Sequence, residues 1–173
     1  LRGFTVWRAK PVEYAAAFLL IPACALAVLL PLSAVSPNFT PGFLGQNGGF
    51  SMIALSLAGG LVVGIIEETG WTGFVTPRLL SGRTVLAVAV GLGLIHGFWH
   101  LLVNVWFEGA EFGFVFIPYV LTAWVLAIVV LRVLVVWIFA RTRSTLLCAV
   151  THASHTGGLL AIWPLATTPV QDL

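Results

Sequence analysis

Acidic and histidine side chains that could carry out hydrolytic chemistry stand in three separate apolar stretches of this sequence. They are Glu67, Glu68, His96, His100, His152 and His155. Carboxylates and imidazoles are the side chains that most often transfer protons in catalysis, and they also bind zinc. These residue types indicate either a proton-transfer site or a metal site.

The spacing of these residues fits helices. His96 and His100 are four residues apart and share one face of a helix, and the same holds for His152 and Thr156. The two adjacent glutamates differ by about 100° around a helix, so their carboxylates face different neighbours and have different roles. Three helices can thus bring polar faces to one point.

The composition requires a membrane environment for those helices. Hydrophobic residues make up 60% of the 173-residue chain and charged residues only 8%, whereas about 25% of an ordinary soluble domain is charged. This excludes a water-soluble globule and a disordered chain. The net charge is +2 and the basic residues form small groups, which excludes a nucleic-acid-binding surface. We therefore interpret the chain as a polytopic membrane protein.

Five apolar stretches are long enough for a helix to cross a bilayer, which takes ~20 residues. The predicted fold class is all-α, a polytopic membrane helical bundle of about five transmembrane helices. We place these helices at about 11–34, 50–77, 84–106, 114–139 and 144–163, with Pro77 ending the second.

Basic residues mark one side of the predicted bundle. They are Arg2, Arg8, Lys10, Arg78, Arg83, Arg141 and Arg143. The opposite side receives the uncharged loop 36–49, an acidic turn with Glu108 and Glu111, and the tail with Asp172. By the positive-inside rule, we expect the N-terminus in the cytoplasm.

The depth of each ionisable residue can be counted along its helix. Such residues cost roughly 2.5–3.5 kcal/mol each at the bilayer centre, so those that persist are candidate functional residues. At ~1.5 Å per residue, Glu67 lies ~16 Å and His152 ~12 Å from the cytoplasmic ends of their helices. The same count gives ~24 Å for His100, which is therefore predicted to lie deeper than the other two unless the third helix is tilted or starts late.

Three short strings on these helices resemble the motifs of a known family. They are Glu67-Glu68-Thr69-Gly70-Trp71-Thr72-Gly73, similar to EExxxR; His96-Gly97-Phe98-Trp99-His100, similar to FxxxH; and His152-Ala153-Ser154-His155-Thr156, similar to HxxxN. In this order, they resemble the CAAX-protease and bacteriocin-processing (CPBP, or ABI) family of intramembrane proteases, and in particular type II CAAX prenyl endopeptidases. The resemblance covers about residues 67–156.

The chain departs from the family motifs at three positions. Thr72 stands where the family has Arg, Thr156 where it usually has Asn, and His96 where the second motif has Phe. An arginine at position 72 would lie one turn from Glu68 and could neutralise it by an i,i+4 ion pair. Thr156 keeps a shorter hydrogen-bonding side chain in its place.

The resemblance implies roles for the site residues. Glu67 would activate a water molecule with the help of His100, and His152 and Thr156 would polarise the substrate carbonyl or support the oxyanion. Glu68 would be structural. Supporting positions are Glu68, Thr72, His96 and Arg132, and we interpret His155 as a packing residue.

The resemblance also implies a substrate and a location. The substrate would be a membrane-associated or prenylated peptide or protein, and the protein would be integral to a bacterial cytoplasmic membrane, with the lipid bilayer as its other partner. The corresponding division of the chain is 1–49 for the juxtamembrane segment, first helix and loop, 50–165 for a CPBP-like protease core and 166–173 for a tail.

A metal-dependent mechanism is the alternative to a glutamate-based one. Glu67, His100 and His152 form a two-histidine, one-carboxylate set of the kind that holds catalytic zinc with an open position. These residues come from three helices and lack the local HExxH signature of zinc peptidases. We therefore favour no cofactor and keep zinc as an alternative.

Arg132 has two possible positions. The default is snorkelling along its helix to the cytoplasmic interface. However, Glu68 lacks the cation that the motif would place at position 72, and an unpaired carboxylate in an apolar bundle is strongly destabilising. We predict that Arg132 points into the bundle toward Glu68, and otherwise that a neutral Glu68 bonds to Thr72.

Two other classes of function fit the composition. One is a catalytically degenerate membrane protein that acts as a bacteriocin-immunity or peptide-binding factor, and the other is a proton-relaying transporter. A transporter would show repeated halves with interrupted helices, which the sequence lacks.

The chain begins at Leu1 rather than at an initiator Met, which is consistent with a fragment or with an unusual start.

Overall fold

The computed structural model describes residues 2–44, 49–112, 118 and 120–163, and this part of the chain is helical without strands. Its five long helices are α1 (Pro11–Ser33), α2 (Phe50–Gly70), α3 (Val85–Phe112), α4 (Ala127–Thr142) and α5 (Thr145–Ile162). Five helices are long and apolar enough to cross a membrane. The predicted all-α polytopic bundle of five transmembrane helices is thereby confirmed.

The second predicted helix extends past Pro77. A π-helical turn, Trp71–Val75, follows α2, and a last α-helical turn, Thr76–Leu79, completes the span. Pro77 occupies the start of this last turn, where a missing N–H costs little. The prediction that Pro77 ends the helix was therefore wrong, because a π turn just before a proline lets a helix continue through it.

The third predicted helix was also too short. The backbone of α3 remains helical through Phe112, so Glu108 and Glu111 lie in a helix and not in an acidic turn. Most residues of this stretch tolerate a helix, and a single glycine costs only about 1 kcal/mol. The predicted start of the fourth helix near residue 114 and the tail 166–173 lie outside the described residues.

Helix α5 occupies the centre of the described bundle. It packs against α2, α1 and α4, while α3 packs mainly against α4. In α5, 67% of the membrane-spanning stretch is buried inside the protein, against 6% in α1. α1 is thus a peripheral helix with a lipid-facing surface, and α5 carries its polar residues into the interior.

Two glycines bring α2 into backbone contact with α5. A Cβ on Gly60 would lie 2.6 Å from the Gly157 nitrogen, and a Cβ on Gly64 would lie 2.5 Å from the carbonyl oxygen of Ala149. Small residues at a spacing of four allow this close approach between transmembrane helices. Because Glu68 follows Gly64 by one turn, the contact places Glu68 against α5.

A similar glycine pair joins α3 to α4 and to the π-helical segment Val120–Leu126 that leads into α4. A Cβ on Gly93 would lie 2.6 Å from the Val129 Cα, and one on Gly97 would lie 2.9 Å from the Val125 Cα. This packing holds the histidines of α3 beside the arginine of α4.

An ion pair joins two helices at the basic side of the bundle. Arg141 Nε lies 3.0 Å from Glu13 Oε1, and the Glu13 side chain is only 5% exposed. Next to this pair, the Ser144 hydroxyl accepts the Leu147 N–H at 3.0 Å and so caps α5. The pair joins the start of α1 to the end of α4.

Candidate active site

The two adjacent glutamates at the end of α2 have different environments, as their helical spacing predicts. The Glu68 side chain is 0% exposed and that of Glu67 is 15% exposed. Glu68 therefore belongs to the interior of the bundle, and Glu67 has access to its surroundings.

Glu68 is the acceptor at the centre of a buried hydrogen-bond network. Arg132 donates from Nη1 to Glu68 Oε2 at 2.9 Å and from Nη2 to Oε1 at 2.7 Å. The Thr72 hydroxyl donates to Oε2, and His152 Nδ1 lies 2.8 Å from Oε1. Such a bidentate pair with additional donors is the arrangement in which a buried carboxylate can stay ionised.

Arg132 takes the position that was predicted from the missing cation. Its side chain is fully buried, and it points toward Glu68 and not along the surface. The default expectation of snorkelling was wrong, because the Glu68 carboxylate offers a buried partner that outweighs access to the interface. Thr72 adds its hydroxyl to the same carboxylate and does not replace the cation.

Three histidines surround the other glutamate. His96 Nε2 lies 2.9 Å and His152 Nε2 lies 4.0 Å from Glu67 Oε2. One ligand atom each of Glu67, His96 and His100 fall within 4.8 Å of one another. The structure thus brings together Glu67, His100 and His152 from three helices, and it adds His96, for which the sequence suggested only a supporting place.

Several polar atoms at this point are buried and have no aligned hydrogen-bond partner in the described part of the chain. Among them are Glu67 Oε2, His96 Nε2 and His100 Nε2. The 2.9 Å approach of His96 to Glu67 is close enough for a hydrogen bond but is not aligned for one. Polar atoms directed at one another in this way form a place where a water, a substrate group or an ion is stabilised.

Aromatic rings enclose the histidines. The Trp71 ring centroid lies 4.8 Å from that of His96, and the Trp99 centroid lies 4.9 Å from that of His100. Trp124 stacks on His100 at 5.7 Å. The rings limit rotation of the imidazoles and provide an apolar wall. Trp124 could not be found from the sequence, because no motif includes it.

Among the described residues, the predicted site residue Thr156 and the predicted packing residue His155 form no hydrogen bond or ion pair with Glu67. Thr156 is half-buried one turn beyond His152 and makes no hydrogen bond within the described residues. His155 is half-buried, and its Nδ1 atom has no partner among those residues. Both lie on the helix that carries His152. Because neither forms such a bond with Glu67, their roles stay predictions.

The polar atoms around Glu67 include donors that could bind zinc. One ligand atom each of Glu67, His96 and His100 lies within 4.8 Å of the others, and His152 Nε2 lies 4.0 Å from Glu67 Oε2; carboxylate oxygens and imidazole nitrogens are donors that zinc accepts. The buried second nitrogen of His152 contacts a carboxylate, as metal-bound histidines usually do. The residues present therefore fit a zinc ion, and metal dependence stays a proposal.

Comparison with known proteins identifies a family that the chain matches. The sequence model of a family described as type II CAAX prenyl endopeptidase Rce1-like matches residues 49–157. Neither the curated proteins nor the solved structures include a match to the chain. The matched segment contains α2 to most of α5 and every residue of the network around the two glutamates.

Proposed function

The chain belongs to the Rce1-like type II CAAX prenyl endopeptidase family, and on this premise we propose that it is an intramembrane endopeptidase whose water is activated by Glu67. The family consists of CAAX proteases, which are hydrolases. The proposed substrate is a prenylated or otherwise membrane-associated peptide or protein.

The position of Glu67 is the observation that carries this proposal. It is the accessible carboxylate of the pair, and it faces three imidazoles, while Glu68 has its oxygens occupied by donors. A general base needs a free carboxylate oxygen within hydrogen-bond reach of a water. Glu67 meets this condition and Glu68 does not.

The proposed reaction is a direct hydrolysis. Glu67 removes a proton from water while the water oxygen forms a bond to the carbonyl carbon of the substrate. The tetrahedral intermediate then collapses, the C–N bond breaks, and the proton held by Glu67 passes to the leaving nitrogen. The products are a carboxylic acid and an amine.

The contacts of His152 favour a role with the water and not with the oxyanion. Glu68 is an acceptor held by Arg132, so His152 Nδ1 donates to it. In the neutral form of the ring, this places an accepting Nε2 toward Glu67. This atom can accept a hydrogen bond from the attacking water, which leaves the oxyanion to hydroxyl and N–H donors such as Thr156 and His100.

Zinc is the alternative route to the same hydrolysis. Glu67, His100 and His152 would hold the ion, which would supply a Lewis acid that acidifies water and polarises the carbonyl. In this route too, Glu68, held by Arg132, would orient the His152 ring through the contact with Nδ1.

The test compares Glu67→Gln with Glu13→Gln, using a farnesylated CAAX peptide and purified protein in lipid vesicles. Both variants neutralise a glutamate near or in the membrane, but only the first removes the proposed base. Glu67→Gln should lower turnover about 10²–10⁴-fold with an unchanged unfolding temperature, while Glu13→Gln should retain turnover. Cleavage at the wild-type rate by Glu67→Gln would contradict the assignment.

A further inference from the structure

Arg132 contacts both the buried network around Glu68 and the group of histidines around Glu67. Besides the two bonds to Glu68, its Nε donates to His96 Nδ1 at 3.0 Å. His96 is 0% exposed, and its other ring nitrogen lies 2.9 Å from Glu67 Oε2. A chain of contacts thus runs from Arg132 through His96 to the proposed general base.

The contact fixes which nitrogen of His96 carries the proton. A guanidinium has only donors and stays protonated in proteins, so His96 Nδ1 must be the acceptor. A neutral imidazole with an accepting Nδ1 carries its proton on Nε2. Protonation of both nitrogens would place an N–H of His96 against an N–H of Arg132.

Through Glu68, Arg132 favours the other tautomer in His152, with the proton on Nδ1. Its two bonds to Glu68 hold that carboxylate as an acceptor, and His152 Nδ1 at 2.8 Å is the donor. In a neutral ring with its proton on Nδ1, the Nε2 atom of His152 is an acceptor, and it lies 4.0 Å from Glu67 Oε2. One arginine therefore sets one donor and one acceptor on the two sides of Glu67.

We propose that Arg132 and His96 are positioning residues of the hydrolytic site: Arg132 locks the proton of His96 on Nε2, and this N–H, which lies 2.9 Å from Glu67 Oε2 without forming an aligned hydrogen bond, attracts Oε2 and leaves Oε1 for the reacting water. The proposal rests on the proposed function only for its catalytic consequence. It also removes His96 as a metal ligand, because a protonated Nε2 has no lone pair to donate.

The arrangement depends on two positions, 96 and 72, at which this chain departs from the related motifs. His96 stands where the related motif has Phe, and Thr72 where it has Arg. Arg132 on α4 supplies the cation that position 72 lacks. The Nε–H of Arg132, which does not bond to Glu68, donates to His96.

The direct test is the tautomer of each histidine. The full chain, labelled with ¹⁵N-histidine in lipid nanodiscs, contains four histidines, each assignable with a single His→Gln variant. Long-range ¹⁵N–¹H correlation spectra should show His96 as Nε2–H and His152 as Nδ1–H. A His96 that is Nδ1–H, mixed or doubly protonated would overturn the proposal.

A variant then tests the role of Arg132. In Arg132→Met/Glu68→Gln, which leaves no unpaired buried carboxylate, His96 should become a mixture of tautomers. If His96 remains entirely Nε2–H there, Arg132 does not control it. These spectra do not depend on turnover, so they can fail or succeed separately from the proposed peptidase activity.

Kinetics test the consequence for Glu67. His96→Phe should lower kcat about 10–100-fold, as loss of orienting contacts typically does, with KM unchanged. His96→Gln, whose amide can place an N–H near the position of Nε2, should restore most of that loss, whereas His96→Asn should not. Equal kcat for the Gln and Asn variants would contradict an orienting N–H.

Discussion

Glu67 and Glu68 are adjacent in the chain, and their surroundings decide their chemistry. Glu68 accepts hydrogen bonds from Arg132, Thr72 and His152 on all sides. Glu67 has imidazole nitrogens around it and retains partial exposure. The first carboxylate is suited to hold other groups in place, and the second is suited to exchange a proton.

The pairing of Arg132 with Glu68 predicts a strong stability effect. Arg132→Leu leaves a buried carboxylate without its cation, so it should lower the free energy of unfolding by about 3–5 kcal/mol. Adding Glu68→Gln should recover most of this loss. Denaturant unfolding in one detergent measures both, with the exposed Arg83→Leu as a control that should stay near wild type. Equal stability of Arg132→Leu and wild type would contradict a contribution from the pair.

Position 72 offers a way to move the cation. Thr72 lies one turn after Glu68, and its hydroxyl already contacts Glu68 Oε2. Thr72→Arg should therefore rescue the stability of Arg132→Leu, but should destabilise the protein that keeps Arg132, because two guanidinium groups would compete for one buried carboxylate. Additive effects of the two substitutions in an unfolding experiment would show that the two positions do not share Glu68.

The sequence was sufficient to predict several of the side chains that meet, but not how they are arranged. Residue type and helical spacing indicated six candidate residues, the family resemblance gave catalytic roles to Glu67, His100 and His152 among them, and the motif departure at Thr72 indicated Arg132. Counting along the helices placed His100 too deep, because the count assumes parallel helices that begin at one level. The approach of His96 to Glu67 depends on a pairing between α3 and α4 that no local pattern encodes.

At the scale of elements, glycines determine how closely the helices approach one another. Gly60 and Gly64 bring α2 onto α5, and Gly93 and Gly97 bring α3 onto α4. From their composition, these stretches were predicted only to be apolar helices. Their spacing of four was visible in the sequence, but the helices that they face were not.

The α2–α5 contact can be tested with neighbouring glycines. A Cβ on Gly60 would meet the backbone of α5, whereas one on Gly59 would meet nothing within 4 Å. Gly60→Ala should therefore destabilise the protein by about 1–3 kcal/mol, as overpacking does, while Gly59→Ala should leave stability unchanged or slightly higher. Thermal unfolding in the same detergent compares the two, and equal effects would argue against a close backbone contact.

The π-helical turn after α2 is the other feature that the sequence did not reveal. The Thr76 hydroxyl donates to the Trp71 carbonyl oxygen at 2.7 Å within this turn. Such turns insert one residue into a helix and are frequent near functional sites. Here the turn follows the two glutamates and carries Trp71 against His96.

At the scale of the whole molecule, hydropathy was enough to predict an integral membrane protein with five spans. The family match over residues 49–157 agrees with a function located in α2 to α5. The cytoplasmic position of the N-terminus rests on the distribution of basic residues and stays a prediction.

Stability of the whole protein should not depend on a bound metal. The buried bonds among Glu68, Arg132 and His152 are complete without one, and a metal that stabilised only the folded state would raise the unfolding temperature. Exhaustive chelation should therefore leave both the unfolding temperature and peptide cleavage unchanged. Loss of cleavage that stoichiometric zinc restores would instead establish the metal-dependent alternative.

The central position of α5 has a consequence for how the protein is made. This helix is the least apolar of the five, yet 67% of its spanning stretch is buried by its neighbours. Alone in a bilayer it would expose His152 and several hydroxyl groups to lipid, so we infer that it enters the membrane together with the helices that cover it. Substitutions at the α2–α5 contact would then first reduce the amount of protein that the cell assembles, before any defect in catalysis could be measured.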